Sequence, residues 1–197
     1  MKLRYLIICS LFTALIAVGA FIRIPTATIP FTLQVFFVIL TGLILPPKLA
    51  AIPPAVYMAL GLIGVPIFAK GGGFAYVLEP SFGYIAGFIL LSFLISLLVR
   101  KHLLALIAKN PEQKRVVSII KITVYSLVSI AALYAVGITY MYLILNFYVG
   151  SSTALGPLIA SSTGLFIVFD IIKAVAAAAI SAPVLRRMPS GILPRRA

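Results

Sequence analysis

Phe82-Gly83-Tyr84-Ile85-Ala86-Gly87-Phe88-Ile89-Leu90-Leu91-Ser92-Phe93-Leu94-Ile95-Ser96-Leu97-Leu98-Val99-Arg100-Lys101 is the stretch that decides the fold. From Phe82 to Val99 no residue is charged, and two cations follow at once. About 20 apolar residues cross the hydrocarbon core of a bilayer, and a cationic boundary marks the cytoplasmic end of such a span. The rest of the chain has the same character. It is 63% hydrophobic and only 10% charged, with a mean hydropathy of +1.22. A soluble domain averages about 45–50% apolar and about 25% charged, so a membrane-embedded protein is the class that remains. With Cys9 as the single cysteine and no low-complexity tract, disulfide scaffolds, collagen and disorder are excluded.

Six apolar stretches, at 4–22, 33–45, 48–64, 82–99, 117–146 and 155–185, predict an all-α integral membrane protein. The expectation is one membrane domain over residues 1–197 built as a six-transmembrane-helix bundle. The third stretch contains Pro53-Pro54 and is expected to be kinked or irregular. The fifth is long enough for tilt or for a break near Gly137. Residues 1–22 resemble a signal peptide in Lys2, Arg4 and Val18-Gly19-Ala20, but the apolar run Tyr5–Ile22 exceeds the roughly 7–15 residues of a signal core, so a retained helix is expected.

The formal charge of +13 arises from 16 Lys and Arg against Glu79, Glu112 and Asp170. With the N-terminus in the cytoplasm, 12 cations fall inside: Lys2, Arg4, Lys48, Arg100, Lys101, Lys109, Lys114, Arg115, Arg186, Arg187, Arg195 and Arg196. Only Arg23 and Lys70 fall outside, while Lys121 and Lys173 lie within spans. This asymmetry predicts that both termini are cytoplasmic. The charge therefore reads as topology, with anionic lipid or a cytoplasmic partner second, and no nucleic acid is expected.

No phosphate-binding loop is present; Lys70-Gly71-Gly72-Gly73 has its lysine on the wrong side of the glycines. Active transport by this chain would need an ion gradient or an ATPase partner. A lone histidine, His102 in a basic cytoplasmic loop, and a lone cysteine argue against a zinc or haem site. Three scattered acids do not make a metal-dependent transferase. No metal or cofactor, and no enzyme, is expected.

Asp170 and Lys173 lie inside the last span, where an ionisable group costs about 2.5–3.5 kcal/mol to insert and marks a functional site by default. Three residues apart, they share one helical face. With an outer boundary near Leu165, they lie about 7 and about 12 Å deep. One reading is mutual neutralisation within the bundle; the other, compatible with it, is a pocket opening outward. The outer loops favour the pocket. Residues 23–34 carry Pro25, Pro30, three threonines and Gln34, and residues 65–84 carry Gly71-Gly72-Gly73, Phe74, Tyr76, Glu79 and Tyr84. Glycines admit close approach of backbone to a ligand, and aromatics can stack on a flat ring. On the first helix, Ser10/Ala14 and Thr13/Ala17 are small residues four apart, suited to helix contact within or outside the protein.

Several runs resemble a known family. Ile29-Pro30-Phe31-Thr32-Leu33-Gln34-Val35, then Gly61-Leu62-Ile63-Gly64-Val65-Pro66-Ile67-Phe68-Ala69 with Gly71–Gly73, then Leu78–Phe88, look like the BioY family, the biotin-specific S components of energy-coupling-factor (ECF) transporters. Phe169-Asp170-Ile171-Ile172-Lys173-Ala174 is similar to that family's D-x-x-K-A segment. The chain departs from the family pattern at Glu79 and Phe82, and at Val168-Phe169 before the aspartate. The resemblance implies the S-component fold, a prokaryotic plasma membrane, biotin as ligand, a membrane T component and two cytoplasmic ATPases as partners. It also implies that Asp170, Lys173, Gly71–Gly73, Tyr76, Tyr84 and Gln34 bind the ligand, with residues 23–34 as a lid. The helix-one residues Ser10, Thr13, Ala14 and Ala17 resemble the face that docks on the T component. The alternatives are an S component for thiamine or riboflavin, a membrane enzyme using Asp170 and Lys173, and a structural helix-bundle partner.

Overall fold

The computed structural model describes residues 3–24, 30–104 and 115–187. Two segments with sequence-based expectations, residues 25–29 of the outer loop and the polar stretch 105–114, lie outside it, as does the basic tail from residue 188. Six helices form a bundle: α1 (Leu3–Phe21), α2 (Gln34–Ile44), α3 (Ile52–Leu62), α4 (Phe82–Leu98), α5 (Arg115–Leu143) and α6 (Leu155–Arg187). Between α1 and α2, strands β1 (Arg23–Ile24) and β2 (Phe31–Thr32) pair antiparallel, Arg23 opposite Thr32 and Ile24 opposite Phe31. A single helical turn, Pro47–Ala50, precedes α3, and a 3-10 turn, Phe74–Leu78, lies in the loop before α4.

Helices α1, α4, α5 and α6 are long and apolar enough to cross a bilayer unaided. Helices α2 and α3 have 11 residues each, about 16 Å at 1.5 Å per residue, against a hydrocarbon core of about 30 Å. The prolines explain both lengths. Pro46 and Pro47 have no N–H to continue α2, whereas Pro53 and Pro54 open α3, where the missing donors have no helical partner to lose. The third apolar stretch is thus a turn followed by a helix. Helix α5 runs through Gly137 without a break.

Of the four long helices α4 is the innermost: 56% of its apolar stretch is buried, against 33% for α1 and α5 and 29% for α6. It packs on α2, α3 and α5, while α2 also contacts α1 and α6, and α5 contacts α6. Ile39, Leu43, Leu91, Ile95, Ile122 and Leu133 fill the centre. The other helices turn Leu3, Ile7, Val124, Val128, Val168 and Ile172 outward, as helices bathed in lipid do.

In an apolar medium the carbonyls that end a helix still need donors. At the end of α2 they come from α4 and the turn that follows it: Ser96 Oγ donates to Leu45 O at 2.5 Å and Arg100 Nη2 to Ile44 O at 3.2 Å. These side chains, four residues apart, serve carbonyls that lose their helical donors where the chain turns at Pro46-Pro47. Ser96→Ala should therefore lower unfolding free energy by about 1–3 kcal/mol, the cost of orphaning a buried acceptor. Thermal melting in detergent checks this, with exposed Ser10→Ala expected to be near neutral.

Candidate functional site

Asp170 and Lys173 stand one turn apart on α6, facing inward, 4% and 7% exposed. Lys173 Nζ lies 2.8 Å from Asp170 Oδ1 and also donates to Thr32 O at 2.8 Å. It is 4.0 Å from the centre of the Phe31 ring, a cation–π contact. The other carboxylate oxygen, Oδ2, accepts from the Tyr134 hydroxyl of α5 at 2.7 Å. A buried ion pair offsets its desolvation only when its hydrogen bonding is completed by neighbours. Here they come from α5 and β2. The hairpin is held in place because Phe31 packs on Phe166 and Phe169, with ring centres 5.6 and 4.7 Å away.

The pair sits in the wall of a cavity of about 620 Å³, counted out to and including its open mouth. Phe31, Tyr76, Tyr84, Phe88, Tyr134 and Phe166 supply aromatic surface. Gln34 Nε2, Ser81 Oγ and Tyr84 OH belong to wall residues and are buried with no hydrogen-bond partner of ordinary geometry in the protein. Thr32 Oγ1 donates to Gln34 Oε1 at 3.1 Å, which fixes the amide and leaves its NH₂ as donor. Unsatisfied buried groups cost about 1–3 kcal/mol each. A solute with a flat body and both donor and acceptor atoms would satisfy them.

Of the residues singled out from sequence, Asp170, Lys173, Gln34, Tyr76 and Tyr84 meet at this cavity. Gly71, Gly72 and Gly73 are not on its wall; Ala69 is. The glycines instead shape the loop. Gly71 and Gly73 take φ of +123° and +108°, Phe68 and Gly71 exchange backbone hydrogen bonds, and Gly73 N donates to Gly61 O at 2.7 Å. Left-handed backbone is where glycine is needed without any ligand. On α1, Ser10 and Ala14 face outward and Ala17 is half-buried, but Thr13 turns into the bundle and donates to Cys9 O and Pro53 O. The exposed small-residue face therefore holds Ser10 and Ala14 with Ala17 at its edge, and Thr13 lies off it.

Tyr134, Phe31, Ser81 and Ser162 were not anticipated. A tyrosine in the middle of an apolar span carries a hydroxyl that needs a partner, so Tyr134 was findable. The others announce themselves only through contacts across the fold, as when Lys173 reaches Thr32, 141 positions away.

Bilayer-length helices around an aromatic-lined cavity, with an ion pair in its wall, define an integral membrane protein with a pocket among its helices. Comparison with known proteins gives the family. Residues 1–190 match the BioY family, and the chain belongs to it. The BioY biotin transporter of Thermotoga maritima is 40% identical over 182 residues, 91% of this chain and 94% of that protein. A Lysinibacillus sphaericus protein named a probable biotin transporter BioY is 34% identical over 176 residues, covering 89% of this chain and 84% of its own length. A crystal structure described as the S-component for biotin from an ECF-type ABC transporter superposes with a TM-score of 0.77 at 26% identity. That match covers 98% of this chain and 97% of the other. The fold is that of an ECF S component, and the protein is a multi-pass protein of a prokaryotic plasma membrane.

Tyr134→Phe should lower unfolding free energy by about 1–3 kcal/mol by depriving the buried carboxylate of a donor. Melting in detergent checks it, with Tyr148→Phe, an exposed tyrosine, expected to match the unmodified protein.

Proposed function

We propose that this chain is the substrate-binding component of an ECF-type uptake transporter and captures biotin from the outer face. The observation that carries the reading is the Asp170 carboxylate, fixed by Lys173 and Tyr134 in an aromatic cavity beside the buried polar groups of Gln34, Ser81 and Tyr84. Biotin offers a ureido ring with two N–H donors and a carbonyl, an apolar bicyclic body with a thioether, and a carboxylate on a flexible arm. Asp170 keeps lone pairs for a ureido N–H, since each carboxylate oxygen accepts one bond within the protein. Lys173 has its protons committed to Asp170 and Thr32 and its remaining side against Phe31, so it acts by orienting Asp170. The amide of Gln34 and the hydroxyls of Ser81 and Tyr84 offer donors to the ligand's oxygens. Tyr76 and Tyr84 flank the ring system, and Gly71–Gly73 contribute through the shape of their loop.

Delivery then depends on partners. The chain carries no phosphate-binding loop, so ATP hydrolysis belongs to two cytoplasmic ATPases acting through a membrane T component. Ser10 and Ala14 on the lipid-facing side of α1, with Ala17 beside them, give that component a surface for close helix contact. The 12 cations against 2 put both termini in the cytoplasm, so the hairpin end of the bundle faces outward. A carrier of this kind returns its ligand chemically intact.

Three measurements test the proposal. Purified protein, washed and then denatured, should release near-stoichiometric intact biotin by mass spectrometry. No bound biotin and no uptake of added biotin would reject the substrate and turn attention to thiamine and riboflavin. Asp170→Asn should insert normally and bind biotin more than tenfold more weakly, over about 1.4 kcal/mol; unchanged affinity by calorimetry would remove Asp170 from the site. Ala14→Trp should abolish co-purification with the T component and leave biotin affinity intact. Loss of both would place Ala14 in the internal packing.

A further inference from the structure

The loop from Val65 to Ser81 carries Ala69, Tyr76 and Ser81 to the cavity wall, so whatever holds it sets the shape of that wall. Two phenols from two helices hold it. Tyr57 of α3 donates to Ile67 O at 3.0 Å, near the loop's start, and Tyr140 of α5 donates to Val77 O, near its end. Neither phenol lines the cavity, although the Tyr57 hydroxyl also meets the side chain of Gln34 at its wall, so Tyr140 is the tether that acts through the loop alone. Both are locked from behind. Tyr57 is fully buried, and its ring meets Phe68, which packs on Tyr76 with ring centres 4.5 Å apart. Tyr140 lies over Gly83, where a Cβ would come within 2.3 Å of the tyrosine's own Cβ, and against Phe82. The arrangement is reciprocal, because Tyr84, a wall residue on α4, lies over Gly137 of α5. An ion pair, Lys70 to Glu79 at 3.0 Å, also spans the loop, but its side chains are 40% and 36% exposed. Pairs so exposed are screened and contribute little.

We propose that Tyr57 and Tyr140 are positioning residues for ligand binding, tethering the two ends of this loop so that Tyr76 and Ser81 are held ready at the wall. The proposal rests on the biotin-binding reading above. A loop ordered in advance has less entropy to lose when ligand arrives, and its opening governs how ligand leaves. Tyr140 gives the tether a link to the floor of the site, since α5 also carries Tyr134, the donor to Asp170.

The test uses full-length protein in detergent, with labelled biotin dissociation and amide exchange read together. Tyr57→Phe and Tyr140→Phe each remove one hydroxyl and keep the ring. Each should raise the biotin off-rate about five- to tenfold, the worth of about one hydrogen bond, and speed amide exchange within residues 66–79 of the ligand-free protein. Lys70→Ala should do neither. Biotin leaving both phenylalanine variants at the unmodified rate would overturn the proposal, as would faster exchange spread along α3 and α5, which marks general loosening. If Tyr57→Phe fails to fold, Tyr140→Phe alone decides. Failure of the unmodified protein to bind biotin would instead overturn the reading beneath it.

Discussion

Two charges stand where the surroundings are apolar, and the rest of the site is arranged around keeping them there. A carboxylate and an ammonium taken from water into this bundle need every bond the protein can give. Lys173 takes the Thr32 carbonyl and the Phe31 face, and Asp170 takes the Tyr134 hydroxyl. Those partners come from two other pieces of chain, β2 and α5. The pair thereby ties the hairpin after α1, the middle of α5 and the body of α6 to one point. A cavity wall assembled this way exists only once both ends of the chain have met, which is why residues so distant in sequence share one site.

The same demand for satisfied polar groups governs the scaffold. Prolines stop α2 and begin α3, and those breaks leave carbonyls in an apolar setting. Ser96 of α4 and Arg100 just beyond it answer at the end of α2. Two helices too short to cross a bilayer are tolerable because long neighbours supply their missing bonds. At the other end of α2 the β hairpin brings Gln34, the first residue of the helix, to the cavity wall, where Thr32 Oγ1 fixes its amide.

Much of this was legible in the amino-acid sequence. The uncharged run ending in Arg100-Lys101 announces a bilayer helix, and an aspartate and a lysine in another such run announce a site, because both are rare where they are costly. Gln34, Tyr76 and Tyr84 were readable as polar or aromatic residues in loops near that pair. What was not legible has physical reasons. Glycine serves close ligand approach and left-handed turns equally, so Gly71–Gly73 looked like wall and prove to be loop geometry. Spacing on α1 identifies faces without saying which faces inward, so Thr13 was grouped with Ser10 and Ala14 although it lies on the buried side. The irregularity expected of the stretch 48–64 from Pro53-Pro54 was legible by contrast, and the structure has a turn followed by a helix there.

The division of labour within the site follows from the geometry rather than from residue type. Lysine is the obvious partner for a ligand carboxylate, and among the described residues the cavity wall holds no other cation. Yet Lys173 is committed to neighbours on every side, so its charge is already spent on Asp170. A free cation in that place would draw any small anion; a neutralised one leaves a net-neutral cavity in which neutral donors and aromatic faces do the selecting. Discrimination then rests on whether buried polar atoms are matched one by one, the regime in which missing a single hydrogen bond is most costly. On the proposed biotin reading, the burden of specificity falls on Gln34, Ser81 and Tyr84, two of which sit at the start of α4 beside the loop that Tyr140 holds.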